Sequence, residues 1–215
     1  MTEMIRPPAG QTEGLVWDAA RRVAAIPGLN LERRRSRLLR TLLPHLGPAQ
    51  LEHITLHCEH VARTAARLAG LMRLAAAQAE RVRLIGLMHD IGKALAPDRL
   101  LGRAGPLTED ERGWLARHAA HGAGLCEVLG APADVVESVA AHHERFDGPA
   151  CPPLGARIVH VADAMVVMTT GRAYSAPRTF SAALAELRRG RGAAFDPDVV
   201  VAAHIHGASV MALAA

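Results

Sequence analysis

Aromatic residues are scarce in this sequence, which has three phenylalanines, two tryptophans and one tyrosine in 215 residues. Proteins that bind single-stranded nucleic acid usually stack bases on several exposed rings, so this scarcity argues against that function. Basic residues exceed acidic ones by 25 to 21, and the net charge of +4 suits an anionic substrate without requiring one. We therefore predict no nucleic-acid partner.

Cysteines and long apolar runs are also few. Cys58, Cys126 and Cys151 are widely spaced and form no CxxC pair, which argues against a disulfide framework and a structural zinc knuckle. The first residues lack the basic and then apolar pattern of a signal peptide. No uninterrupted apolar run reaches the roughly 18 to 20 residues that a spanning helix needs. We expect a soluble, cytoplasmic protein with no membrane association.

Hydrophobic residues make up 50% of the chain and charged residues 21%, a composition that excludes a disordered protein. Apolar residues recur every three to four positions and alternating runs are rare, so the fold class is predicted to be all-α. Pro197 at the first position of a helix and a capping box at Thr108 mark two helix starts. The predicted helices span residues 17–26, 31–43, 49–74, 80–91, 108–129, 134–144 and 156–170, and a last one begins at 196.

The residues before the long predicted helix are expected to form a short helical extension. They contain the run Arg33-Arg34-Arg35. Short runs of like charge usually form a solvated face, which we predict here, with a partner-binding patch as the alternative. The amphipathic helices of the extension are also candidates for a homodimer contact.

Histidine is abundant in contrast, with 12 residues. Imidazole is the commonest metal ligand in proteins. The pairs His89-Asp90 and His142-His143 lie in otherwise apolar helical segments, where burying such side chains is costly unless coordination or pairing compensates. Any single histidine on a helix is more often a core or surface residue, but the pairs together point to a metal site.

A string of short motifs accompanies these histidines from about residue 50 to residue 203. The motifs are Leu87-Met88-His89-Asp90-Ile91-Gly92-Lys93, Gly105-Pro106-Leu107-Thr108, His118 with Gly122, His142-His143-Glu144-Arg145, Val161-Ala162-Asp163 and Phe195-Asp196-Pro197. Together they resemble the HD-domain superfamily of metal-dependent phosphohydrolases and, within it, the HD-GYP family. The resemblance implies an HD-type helical bundle over residues 48–215, with residues 1–47 as the helical extension.

The resemblance also implies a bimetallic site. Asp90 would bridge the two ions, and Lys93 would face the substrate phosphate. Arg145 is a second candidate for substrate binding, with an ordinary surface ion pair as the equal alternative. His53 stands where three-metal members have a glutamate, so it is a candidate for a third ion or for a supporting role. The implied metal ligands are His57, His89, Asp90, His118, His142, His143 and Asp163.

Two divalent transition-metal ions are the expected cofactors. Mixed imidazole and carboxylate ligation favours iron or manganese and leaves zinc, cobalt and nickel open. Since HD-GYP members hydrolyse the bacterial second messenger cyclic di-GMP, the resemblance implies a metal-dependent phosphodiesterase for cyclic di-GMP or a related nucleotide. A hydroxide that bridges the two ions would attack the phosphate, with Asp90 and Lys93 as the catalytic residues.

The Gly-Tyr-Pro motif of the family is absent. After Asp147-Gly148 the sequence reads Pro149-Ala150-Cys151-Pro152-Pro153-Leu154, so this loop is both changed and shortened. The change leaves two alternatives open: a degenerate module that binds nucleotide or a signalling partner protein without turnover, and a phosphohydrolase for another phosphate ester. The intact set of implied ligands favours catalysis.

Overall fold

The structure is a computed structural model that describes residues 9–102, 105–170 and 176–205. These residues are mainly helical and include no β-strand, which confirms the all-α prediction. Within the same ranges, no helix combines the length and apolarity needed to cross a membrane. The α-helices are α1 (Ala9–Ala24), α2 (Leu31–Leu42), α3 (Pro48–Glu52), α4 (Cys58–Leu71), α5 (Ala76–Met88), α6 (Asp98–Leu101), α7 (Glu109–Ala116), α8 (His118–Val128), α9 (Ala133–Ala140), α10 (Leu154–Thr170), α11 (Phe180–Arg189) and α12 (Pro197–Ile205).

The centre of the molecule forms where α4 packs against α5 and α10. Val61, Ala65 and Leu68 recur at helical spacing on α4 and are fully buried. Gly86 of α5 lies against α4, and a Cβ there would be only 2.7 Å from Ala62 Cα. Glycine therefore permits the close approach of the two helices, which brings the end of α5 next to the start of α4.

One long predicted helix, 49–74, is interrupted. The structure has α3, then a π-helical segment His53–His57, then α4. The predicted helix 80–91 is displaced toward the C-terminus, because α5 spans Ala76–Met88 and a 3₁₀ segment covers Ile91–Leu95. Both departures occur at candidate ligands, where tertiary contacts outweigh the helical periodicity of the sequence.

The predicted helix 108–129 starts correctly but divides in two. Thr108 Oγ1 accepts from the Glu111 amide and the Glu111 side chain accepts from the Thr108 amide, which confirms the capping box. At Arg117 the α-helical hydrogen-bond pattern is broken, since its amide donates to the Trp114 carbonyl three residues back. Helix α8 begins immediately afterwards with His118.

Helix α11 is absent from the sequence prediction. Its N-cap is Thr179, whose hydroxyl accepts from the Ala182 amide, and this threonine was the local signal that could have revealed the helix.

Helices α1 and α2 share one hydrophobic core with the rest of the described chain. Val16, Leu38 and Leu42 are fully buried in it, and α1 contacts α8 as well as α2. The division of the chain at residue 48 stays a prediction.

The prediction of a solvated arginine face is wrong for part of the run. Arg33 is exposed and Arg34 is half-buried, but Arg35 is only 5% exposed. Arg35 lies three residues before Leu38 and seven before Leu42, so helical geometry places it on the inward face of α2.

Gly92, in the segment Ile91–Leu95, provides a test of the packing. A Cβ at this position would be 2.1 Å from the His118 carbonyl oxygen and 2.6 Å from the Gly122 nitrogen. Both obstacles belong to the main chain, so α8 would have to shift. We predict that Gly92→Ala lowers the free energy of unfolding by at least about 2 kcal/mol, measured by urea denaturation.

The matched control for this variant is Gly113→Ala in α7, where a Cβ meets nothing within 4 Å. It should stay within about 0.5 kcal/mol of the unchanged protein or become more stable, since alanine favours helix. Equal stability of the two variants would show that the contact of Gly92 with α8 is not as tight as described.

Candidate metal centre

All seven implied ligands, together with the third-ion candidate His53, converge on one site, although they come from separate parts of the chain. The π-helical segment contributes a histidine at each end, and the turn after α5 contributes the His-Asp pair. The start of α8, the turn after α9 and the middle of α10 provide the others. In chain order these residues are His53, His57, His89, Asp90, His118, His142, His143 and Asp163.

The buried carboxylate of Asp90 lies at the centre. Its Oδ2 atom is 3.4 Å from His89 Nε2, 3.6 Å from His57 Nε2 and 2.6 Å from Lys93 Nζ. Its Oδ1 atom is 3.3 Å from His118 Nε2. The two oxygens of one carboxylate therefore face different histidines, as a bridging ligand requires.

Around Asp90 the donor atoms form three groups, each compact enough to surround one metal ion. Within each group all ligand atoms lie within 4.8 Å of one another. Two of the groups share His57, and the third adjoins them because His118 Nε2 lies 3.3 Å from Asp90 Oδ1, so the groups are adjacent parts of one cluster. They are His118 with His142 and His143, His53 with His57 and Asp90, and His57 with His89 and Asp163.

Main-chain carbonyls fix the tautomer of three of these histidines. A carbonyl oxygen can only accept, so each Nδ1 must donate, and the Nε2 of a neutral ring then carries a lone pair. Such contacts orient metal-binding imidazoles in many proteins. Sequence reasoning missed these acceptors, although each lies three residues before its histidine. The pairs are His89 with Gly86 at 2.8 Å, His118 with Leu115 at 2.5 Å and His142 with Val139 at 2.7 Å.

The donor atoms that face the cluster are short of hydrogen-bond partners. His118 Nε2 lies 3.3 Å from His142 Nε2, yet each neutral ring carries its proton on Nδ1, so neither Nε2 has a proton to donate to the other. A buried polar atom without a partner costs about 1–3 kcal/mol, and bound cations would remove that cost at several atoms together. The residues present therefore fit metal ions. The buried atoms of the cluster without a hydrogen bond are His57 Nε2, His89 Nε2, Asp90 Oδ1 and Asp163 Oδ1.

Comparison with known proteins agrees with this geometry. The sequence model described as the HD domain matches residues 37–199. The chain belongs to the HD domain family. This confirms the superfamily that the motifs around His89 and Asp90 predicted.

Several relatives of this HD domain are curated as cyclic-dinucleotide phosphodiesterases. The cyclic di-GMP phosphodiesterase response regulator RpfG of Xanthomonas campestris is 38% identical over 157 residues, covering 66% of this chain and 39% of that protein. The 3'3'-cGAMP-specific phosphodiesterase 2 of Vibrio cholerae is 30% identical over 71% of this chain and 30% of its own length. A cyclic di-GMP phosphodiesterase of Thermotoga maritima is 30% identical over 68% of this chain and 42% of its own length. The chain thus spans less than half the length of these relatives.

A solved structure supports the same fold. The HDG"Y"P protein Bd1817 of Bdellovibrio bacteriovorus superposes with a TM-score of 0.56 over 94% of this chain and 73% of that one. The sequence identity is 16%, so the likeness concerns the architecture of the HD domain alone.

Both carboxylates of the HD domain cluster are held in the ionised form. Burial by itself raises the pKa of Asp90, but the Lys93 ammonium and the His89 ring outweigh it and hold the pKa well below its usual range. Burial also opposes ionisation of Asp163, yet close contact with His57 lowers the pKa of that carboxyl. Ionised oxygens are the state in which a carboxylate binds metal.

Two histidines of the cluster are held neutral. Burial lowers the pKa of His142 well below its usual value. The pKa of His143 is lowered to about 4, mainly by desolvation of the ring and to a smaller extent by the nearby His118, although the residue as a whole is exposed. His89 differs, because the attraction of Asp90 outweighs burial and raises its pKa, so a proton there competes with a cation.

Lys93 and His53 complete one side of the HD domain site. Lys93 Nζ is 2.6 Å from Asp90 Oδ2 and 3.5 Å from His53 Nδ1. His53 Nδ1 is in turn 3.8 Å from Asp90 Oδ2. Lys93 therefore brings a positive charge to the edge of the cluster, beside Asp90 and His53.

Arg145 is not part of this cluster. Its guanidinium makes a two-pronged ion pair with Asp147, at 2.8 Å and 2.9 Å, and the side chain is 57% exposed. The structure thus shows the surface pairing that the sequence left as an alternative. A role for Arg145 in substrate binding stays a prediction.

Proposed function

We propose that this chain is a metal-dependent phosphodiesterase that hydrolyses cyclic di-GMP or a related cyclic dinucleotide. The observation that carries the proposal is the convergence of histidine and aspartate donors on the buried Asp90, where four buried donor atoms have no hydrogen bond. The names of the curated relatives, which are cyclic di-GMP and 3'3'-cGAMP phosphodiesterases, support the substrate class.

In this proposal the cluster would hold two divalent ions. Asp90 would be shared between them, because its two oxygens face different histidines. His53 is a supporting residue or a ligand of a third ion. Iron or manganese is favoured, with zinc, cobalt and nickel as alternatives. The proposed ligands are His57, His89, Asp90, His118, His142, His143 and Asp163.

Bound ions of this kind activate water and neutralise the charge of a phosphoryl group. The side chains of the protein would position the substrate phosphate. Lys93 exchanges its contact with Asp90 for one with a non-bridging phosphate oxygen of the substrate, and its charge stabilises the oxygen that becomes more negative during attack. Arg145 is proposed as a second phosphate contact, for which it must leave Asp147. A signalling protein partner and a homodimer are further proposals.

A turnover assay tests this function. The 215-residue chain, loaded anaerobically with Fe²⁺ or Mn²⁺, is incubated with cyclic di-GMP and with 3'3'-cGAMP, and the products are separated by chromatography. We expect linear dinucleotide or mononucleotide from at least one substrate. Binding of either dinucleotide without product would instead favour the degenerate module suggested by the changed loop after Gly148.

A further inference from the structure

The π-helical segment His53–His57 bears two candidate ligands, one at each end. Short π-helical stretches inside α-helices occur frequently at functional sites, and they interrupt the regular backbone hydrogen bonds. In this protein, side chains bind carbonyls of the segment and of the turn before it. Thr55 Oγ1 donates to the Leu51 carbonyl at 2.5 Å, and Cys58 Sγ donates to the His53 carbonyl at 3.1 Å.

A third donor comes from outside the segment. Arg35 of α2 donates from Nη2 to the Ile54 carbonyl oxygen at 2.5 Å, across 19 residues of sequence. Ile54 belongs to the segment His53–His57, and its side chain is fully buried. A hydrogen bond from a guanidinium is charge-assisted and stronger than one between neutral groups.

Arg35 is a costly residue at this position. It is 5% exposed, and its Nε atom is buried without a hydrogen bond. Its neighbours on the inward face of α2 are leucines, and an apolar side chain of similar volume would avoid the cost of burying a charge. Packing alone therefore does not explain an arginine here, whereas holding the Ile54 carbonyl does.

We propose that Arg35 is a positioning residue for the metal centre. It holds the π-helical segment so that His53 and His57 face Asp90 and Asp163, and it links α2 to the site. The proposal rests on the metal ligation proposed above for His57. Arg35 lies before the matched HD domain residues 37–199, so the connection joins the centre to a part of the chain that the family match does not cover.

The neighbouring arginine is a matched control. Arg34 Nη1 donates to the Leu129 carbonyl at 2.7 Å, and its Nε atom is also buried without a partner. It lies on the same helix and makes the same kind of bond. However, Leu129 follows the far end of α8 from His118, so loss of Arg34 affects packing without reaching the ligands.

The experiment compares Arg35→Met, Arg35→Lys and Arg34→Met in the 215-residue chain. Affinity for Co²⁺ is measured by competition with a chelating indicator, and the visible absorption of bound Co²⁺ reports its coordination. Circular dichroism confirms that each variant is folded. Amide hydrogen exchange of residues 53–58 is followed in metal-free protein, so this readout is independent of metal binding.

We expect Arg35→Met to weaken Co²⁺ binding by about tenfold to a hundredfold, to alter the absorption spectrum and to speed exchange in residues 53–58. Arg35→Lys keeps one charged donor and should recover part of the affinity. Arg34→Met should bind Co²⁺ within about twofold of the unchanged protein, because the bond that it loses lies at the end of α8 away from His118. If Arg35→Met is unfolded, Arg35→Lys decides the question, because the proposal requires its Co²⁺ affinity to be measurably lower than that of the unchanged protein.

Unchanged Co²⁺ affinity, spectrum and exchange in a folded Arg35 variant would overturn the positioning role while leaving the proposed function intact. If the unchanged protein itself binds no Co²⁺, the proposed function fails. The hydrogen-exchange comparison of Arg35→Met with Arg34→Met then still decides whether Arg35 holds the segment.

Discussion

The Asp90→Ala variant is expected to lose metal binding and phosphodiesterase turnover together. Asp90 is 1% exposed and faces histidines with both of its oxygens. Without it, the remaining donors are mostly neutral imidazoles and no carboxylate joins the groups around His57 and His118. Metal ions contribute several kcal/mol to such reactions, so a fall of at least about a thousandfold in kcat is expected, at about 1.4 kcal/mol per factor of ten.

Metal content by elemental analysis and kcat are measured on the same Asp90→Ala sample. Asp134→Ala is the matched control, because this exposed carboxylate pairs with Arg81 at 3.2 Å on the surface and lies outside the cluster. It should retain metal and turnover. Full activity in Asp90→Ala would mean that the site has been assigned to the wrong residues.

Removing the metal is expected to destabilise the whole protein. The cluster holds two ionised carboxylates, and four of its buried donor atoms have no hydrogen bond: His57 Nε2, His89 Nε2, Asp90 Oδ1 and Asp163 Oδ1. A ligand present at 100 to 1,000 times its dissociation constant stabilises the folded state by about 3–4 kcal/mol. For a chain of this size each kcal/mol corresponds to about 2–4 °C, so chelation should lower the Tm by about 6–16 °C.

Differential scanning calorimetry with and without a strong chelator measures this shift. Asp90→Ala serves as the control, because a protein that no longer binds metal should show little further change on chelation. Readdition of Mn²⁺ should restore the Tm of the unchanged protein. A Tm that chelation does not alter in metal-loaded protein would contradict the assignment of the unpaired donors to metal binding.

The candidate donors of the site could be named from the sequence, although their role as metal ligands stays a prediction. His89-Asp90 and His142-His143 stood out because polar side chains in apolar helical segments need partners, and the structure brings them to one cluster. Helix starts with their own chemical signal were also predictable, as Thr108 and Pro197 show. These features depend on residues close together in the chain.

Other features depend on distant contacts. Periodicity predicts one helix through His53 and His57. The structure instead has a π-helical segment there, in which the Ile54 carbonyl accepts a hydrogen bond from Arg35. The spacing of Arg35 from Leu38 and Leu42 was a local sign that it lies on the inward face of α2, but its partner, the Ile54 carbonyl, comes from another part of the chain. Arginine is a residue type that often binds phosphate, but the structure pairs Arg145 with Asp147. A contact between distant parts of the chain decides the outcome for the π-helical segment and for Arg35, whereas the Arg145 pair is local and depends on the conformation of its loop.

The most direct test of the central claim is anomalous X-ray scattering from crystals of the metal-loaded protein, at the absorption edge of the bound metal. We predict two peaks beside Asp90, one next to His118, His142 and His143. The second should lie next to His57, His89 and Asp163. No peak at the cluster, or peaks confined to other surfaces, would contradict the account of this HD domain as a bimetallic phosphodiesterase.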